Sequence, residues 1–190
     1  MGAKPTVWIV PRLSGRPDDA WYQWLAGELS AAADVTILST PEPDAPTIES
    51  WVESIASAVG RPPRQPASTF LIGHSVGCQA ILRYLVTLPT GVSIGGVLCV
   101  AGWLTIDDPS DLLRAWCERP LDRVKVGAAT TAFKVVISDN DPYTVDYTAT
   151  VTSFGELGAS VDVVAGVGHF NADREPSVRD QARAMLSGQQ

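Results

Sequence analysis

The sequence predicts an α/β fold, with a mostly parallel sheet of about six strands between layers of helices. Three observations predict it. Short apolar runs rich in Val and Ile alternate along the whole chain with segments whose apolar residues recur at helical spacing. Most of these runs are continuously apolar, as in strands of a parallel sheet covered on both faces. Loops that carry Ser, Asp and His follow three of the runs, at the strand ends where α/β sheets hold their ligands. With 190 residues, 45% apolar and 18% charged, the chain reads as one globular domain over residues 1–190. A domain of this size buries about 70% of its unfolded surface and needs no disulfide or structural metal.

The elements follow in order. Thr6 to Val10 is a strand ended by Pro11, and a helix spans about Asp19 to Ala33 with Asp18 or Asp19 as its N-cap. Trp21, Trp24, Leu25 and Leu29 lie at helical spacing, so both tryptophans are read as packing residues. Val35 to Leu38 is a strand, the Pro-rich run 41–46 a loop, and Thr47 to Val59 a helix. Ser68 to Ile72 is a third strand, which leads into a helix from about Cys78 to Leu88. Val92 to Val100 is the fourth, followed by an irregular crossover with a short helix over about Asp108 to Cys117. Phe133 to Ile137 and Val161 to Val164 are the last two strands, and helices are expected over 145–157 and 177–186.

Composition excludes several classes. The 14 Lys+Arg against 21 Asp+Glu give a net charge of -7 without a basic cluster, which argues against nucleic acid or an anionic membrane as partner. Cys78, Cys99 and Cys117 are odd in number and lack C-x-x-C spacing, so reduced and mostly buried thiols are expected rather than a zinc site. No signal-peptide pattern or spanning apolar stretch is present, so the expected address is cytoplasmic. Met1 to Thr6 fits a loose myristoylation pattern, but a strand starting at Thr6 leaves little tail to anchor. A monomer is the default expectation.

Gly73-His-Ser-Val-Gly77 is a G-x-S-x-G run, weak as a pattern but placed between an apolar strand and a helix, where a nucleophile elbow belongs. There Gly73 and Gly77 relieve crowding around a strained turn at Ser75, and the Val76 N–H at the helix start suits an oxyanion donor. A serine hydroxyl needs a base, and the chain has only His74 and His169. The His74 ring should point away from Ser75, which gives it a structural role. His169 follows the sixth strand at the edge that carries Ser75 and is the expected base. The orienting carboxylate should lie between them in chain order, and Asp139 and Asp141 after the fifth strand both qualify.

With V-P near position 10, A-W-Y-Q-W at 20–24, G-H-S-V-G at 73–77, S-D-N-D-P-Y at 138–143 and G-H-F at 168–170, the chain resembles the small, lidless α/β-hydrolases of the retinoblastoma-binding protein nine type over nearly its whole length. The resemblance implies an α/β-hydrolase-like three-layer sandwich with no large cap domain. It also implies a nucleophilic serine hydrolase with no cofactor, and Asp141 as the triad acid with Asp139 as runner-up. Where that family usually carries a Gly-rich loop after the first strand, this chain has Pro11-Arg12-Leu13-Ser14-Gly15. A backbone N–H of this loop, at Leu13 or alternatively Arg12, is expected to complete the oxyanion hole. The Arg12 side chain is either a bidentate ligand for a substrate carboxylate or phosphate, or a solvated loop residue. No L-x-C-x-E element is present, so binding to pocket proteins is not carried over. The crossover 103–126, with Trp103, Leu104, Ile106, Leu112, Leu113 and Trp116, lines an acyl pocket in one reading and is an ordinary packing segment in the other. The expected function is hydrolysis of a small ester, thioester or amide through an acyl-enzyme, with a small-molecule acyl substrate as partner. A lyase or biosynthetic cyclase using the same pocket, or a non-catalytic binding protein, are the alternatives.

Overall fold

The computed structural model describes residues 4–144 and 146–188. The first three residues of the myristoylation pattern and the first residue of the helix expected over 145–157 lie outside the described residues. Six strands, β1 (Thr6–Val10), β2 (Asp34–Ile37), β3 (Thr69–His74), β4 (Gly96–Val100), β5 (Phe133–Ser138) and β6 (Ser160–Val164), form one sheet in the order β2-β1-β3-β4-β5-β6. Every pairing is parallel. The helices are α1 (Tyr22–Leu29), α2 (Ile48–Val59), α3 (Val76–Thr87), α4 (Asp111–Glu118), α5 (Arg123–Ala128), α6 (Tyr147–Gly155) and α7 (Pro176–Ser187).

Strand alternation sorts the core into two layers. Val7, Ile9, Phe70, Ile72, Leu98 and Val100 pack against α1 and α7, while Val10, Leu71, Val97, Cys99, Val135 and Ile137 pack against α2, α3, α4 and α6. All residues of β3 and β4 are buried, whereas the outer strands β2 and β6 expose Asp34, Thr36, Ser160 and Asp162. This explains the continuous apolar runs in the middle of the sheet and the mixed ones at its edges. Cys78 and Cys99 are buried and Cys117 is half-buried, none of them bridged. No helix among the described residues is long and apolar enough to cross a membrane.

Several boundaries differ from the sequence expectation. The first helix begins only at Tyr22, because Ala20 takes a positive φ of 48° that a helix cannot contain. Neither Asp18 nor Asp19 caps it; Asp19 Oδ2 accepts the Arg16 N–H at 2.8 Å, closing a turn just before the helix. β4 starts at Gly96 rather than Val92, since upstream only Ile94 pairs, in an isolated bridge to Thr130. The crossover between β4 and β5 holds two helices, α4 and the unanticipated six-residue α5, whose Asp122 side chain accepts from the Lys125 N–H. The register Val10↔Gly73 and His74↔Val100 brings the loops after β1, β3 and β4 together at the carboxyl edge, and Ser138↔Val164 aligns those after β5 and β6.

Candidate active site

Ser75 sits between β3 and α3 with φ 54° and ψ -120°, a strained conformation for a side-chain-bearing residue. The two flanking glycines make room for it. A Cβ on Gly73 would lie 2.7 Å from Cys78 N, and one on Gly77 would press on the Val10 carbonyl oxygen and lie 2.6 Å from that of Pro11. The Ser75 N–H donates to Val100 O at 2.9 Å, which ties the turn to β4. Val76 opens α3, so its N–H has no partner within the helix.

His169 is brought to the same edge by two facing loops. Four neighbouring side chains of the loop after β5 meet four neighbouring residues of the loop after β6. Asp139 Oδ1 accepts the Gly166 N–H at 2.8 Å, Ser138 Oγ the Val167 N–H at 3.2 Å, and Asn140 Oδ1 the Gly168 N–H at 2.7 Å. Asp141 Oδ2 lies 2.7 Å from His169 Nδ1, with both side chains buried. The structure therefore brings Asp141 to the imidazole and gives Asp139 a backbone partner instead. A carboxylate oxygen accepts, so Nδ1 carries a proton, and in the neutral imidazole the lone pair is on Nε2.

His74 faces away from the cavity into the α1 side of the core. Its Nε2 lies 2.9 Å from the His169 backbone oxygen, which can only accept, so Nε2 donates and Nδ1 is the acceptor. The Tyr22 hydroxyl supplies the proton to Nδ1 at 2.8 Å and itself accepts the Arg12 N–H at 3.1 Å. Complete burial, with help from the neighbouring His169 and Arg12, holds the His74 pKa down to about 3, so the ring is neutral at physiological pH. Burial likewise pushes the Tyr22 hydroxyl well above its ordinary value, which keeps it a donor.

A cavity of about 490 Å3 opens over Ser75 and His169. Arg12, Leu13, Trp103, Ile106, Leu113 and Tyr143 line it, together with Asp108, Ser110 and Asn171. The Trp103 indole N–H points at Ser75 Oγ at 3.5 Å, and the Trp103 carbonyl accepts from Gln79 Nε2 at 2.6 Å. Arg12 Nη1 donates to Leu13 O at 2.9 Å, and its buried Nε has no partner among the described residues. Trp116 does not reach this cavity. It is buried against Trp51, with its indole N–H donating to Pro46 O at 3.3 Å, because the buried face of α4 turns toward α2. Within the crossover, Trp103, Ile106 and Leu113 thus line the cavity while Trp116 packs in the core. Sequence reasoning overlooked Tyr143, whose ring meets the His169 ring edge-on at 4.7 Å, and Tyr22. Tyr143 could have been found from its place directly after Asp141-Pro142; Tyr22 left no signal beyond helical periodicity.

In the Arg12–Gly15 run three N–H groups are already engaged: Arg12 with Tyr22, Ser14 with Pro43 O at 2.7 Å and Gly15 with Arg12 O at 2.9 Å. Leu13 carries the one remaining N–H of the run without an acceptor among the described residues.

An open parallel sheet with a strand-turn-helix serine and a His–Asp pair at its carboxyl edge is the arrangement of an α/β-hydrolase. Residues 7–187 match the serine hydrolase family model, and the chain belongs to that family. It is 26% identical over 168 residues to the "Putative hydrolase YdeN" of Bacillus subtilis (strain 168), covering 88% of this chain and 86% of that protein. The crystal structure of the B. subtilis ydeN gene product superposes with a TM-score of 0.88 at 24% identity, over 97% of this chain and 100% of that one. Est1E from Butyrivibrio proteoclasticus shares the fold at a TM-score of 0.72 and 13% identity, over 97% and 89% of the two chains.

Proposed function

We propose that this member of the serine hydrolase family cleaves a small ester, or a related thioester or amide, through an acyl-enzyme on Ser75. The observation that carries the reading is the 2.7 Å contact between His169 Nδ1 and Asp141, which leaves Nε2 free to act as a base in the cavity that Ser75 also lines. In this mechanism Ser75 Oγ gives up its long contact with the Trp103 indole and passes its proton to His169 Nε2 as it attacks the substrate carbonyl. Asp141 keeps the imidazole in the required tautomer. The Val76 and Leu13 N–H groups stabilise the oxyanion, Leu13 being favoured over Arg12 because the Arg12 N–H is occupied by Tyr22. His169 then protonates the leaving group, and water repeats the cycle at the acyl-enzyme.

The Trp103, Ile106 and Leu113 side chains would hold the apolar part of the substrate, and Arg12, which also lines the cavity, would meet a polar or anionic substituent. The test is labelling with a fluorophosphonate followed by peptide mass spectrometry. The added mass is expected on Ser75, absent in Ser75→Ala, and to form at least about a thousandfold more slowly in His169→Ala. Turnover of p-nitrophenyl acetate by Ser75→Ala at the wild-type rate would overturn the mechanism.

A further inference from the structure

The loop after β1 and the loop after β6 supply different parts of the proposed machinery, and a chain of hydrogen bonds through two buried side chains joins them. It runs from the Arg12 N–H to the Tyr22 hydroxyl at 3.1 Å, from that hydroxyl to His74 Nδ1 at 2.8 Å, and from His74 Nε2–H to the His169 carbonyl at 2.9 Å. Each member has one consistent set of roles, because an N–H at one end and a carbonyl at the other fix the direction of every proton between them. Tyr22 and His74 are both buried, so no solvent substitutes for a lost partner. Trp21, the residue just before α1, adds a second and direct tie, its indole N–H donating to Phe170 O at 3.0 Å.

We infer that Tyr22 and His74 are positioning residues, a buried strut that sets the Leu13 N–H and the His169 ring at a fixed distance across Ser75. On the Arg12 side, Tyr22 takes up the N–H next to Leu13 and holds the peptide so that Leu13 faces the cavity. On the His169 side, His74 grips the backbone carbonyl, while Asp141 grips the ring of the same residue. The base is thereby fixed at two points that a side chain on one loop alone would not provide. His74 does this as a neutral ring; the strut needs a residue with a donor and an acceptor at opposite ends, and an imidazole that does not ionise is one.

The inference rests on the serine hydrolase reading, and the experiment separates the two. Tyr22→Phe removes one oxygen from a buried ring and is the mild variant; His74→Phe removes both ends of the imidazole. Each is assayed on p-nitrophenyl acetate alone and combined, with competent sites counted by fluorophosphonate labelling run to completion, so that unfolded protein does not enter the rate. Tyr22→Phe is expected to lower kcat per competent site roughly 10- to 100-fold, with KM changed less than about threefold, as misplacement of catalytic groups does. The double variant is expected to lose no more than about the worse single variant, because the two residues belong to one chain. A Tyr22→Phe protein that matches wild-type kcat, or losses that multiply in the double variant, would overturn the strut while leaving the serine hydrolase reading intact. A wild type that neither turns over the ester nor takes the label overturns both.

Discussion

Asp139 and Asp141 stand two residues apart on one loop and meet different partners: one a backbone N–H of Gly166, the other the ring of His169. The difference in partner sets the difference in expected effect. In Asp141→Asn the amide can present its N–H2 to His169 and favour the unproductive tautomer, so kcat on p-nitrophenyl acetate is expected to fall by about 10³- to 10⁴-fold with little loss of fold. In Asp139→Asn the amide oxygen still accepts the Gly166 N–H, and kcat is expected to stay within about threefold. Equal losses from the two substitutions would reject the assignment. At this scale the sequence carried Ser75, His169 and the two candidate aspartates, since types and chain order are local information. It did not carry the choice between the aspartates outside the family resemblance, nor the contacts of Tyr22, because these depend on how loops far apart in sequence are brought face to face.

The strand β3, the turn at Ser75 and helix α3 form one unit that is pressed against the end of β1. Gly77 lies where the Val10 and Pro11 carbonyls approach, so Gly77→Ala forces backbone apart at the start of the Arg12 loop. Chemical denaturation is expected to show a loss of about 1–3 kcal/mol or more. By contrast Gly27, on the exposed face of α1, has nothing within 4 Å of an added Cβ, and Gly27→Ala is expected to stabilise by about 0.5–1 kcal/mol. A neutral result for both would show that crowding at the elbow is relieved by small shifts. All six strands are legible in the sequence to within a few residues, the inner ones as apolar runs and the edge strands β2 and β6 as short β-branched segments of mixed polarity. α5 was not, since six residues with one buried side chain, Val126, make no amphipathic repeat, and it is held by α3 and by its Asp122 cap instead. Trp116 shows the same limit. Periodicity marks it as buried but does not say which neighbour buries it.

Over the whole molecule, the neutral His74 makes stability depend on pH. An unfolded chain protonates this histidine below about pH 6.5, whereas the folded protein resists until about pH 3. Between these values the unfolded state binds more protons, so stability rises with pH; it is fully present above about 6.5 and is lost as pH falls toward 3. The contribution of this one group approaches about 1.4 kcal/mol per pH unit within the window. The exposed carboxylates of Asp44, Glu49, Asp146 and Asp180, each held below its ordinary value chiefly by hydrogen bonds, add their losses in the acid part of that window, as pH falls through the ordinary carboxylate range. Glu175, pushed up by burial, acts in the opposite sense just above the carboxylate range. These carboxyl groups are shared by wild type and His74→Phe, so the difference between their denaturant midpoints from pH 4.5 to 6.5 isolates the histidine: the wild-type slope should be steeper, and parallel curves would contradict a neutral buried ring.

The paired loops after β5 and β6 have a further consequence, one of spelling rather than of energy. Because side chains 138–141 each meet one of residues 166–169, the first two pairs crossed and the last two in step, each stretch acts as a ruler for the other. Asp139 and Asn140 can be exchanged for residues of like hydrogen-bonding sense, whereas Asp141 and His169 carry the proposed chemistry and Gly166 and Gly168 hold positive φ values of 73° and 63°. Adding or removing one residue slides every later rung past its mate and carries His169 away from Asp141. In descendants of this gene a shift of length is therefore the closed route of change in these two stretches.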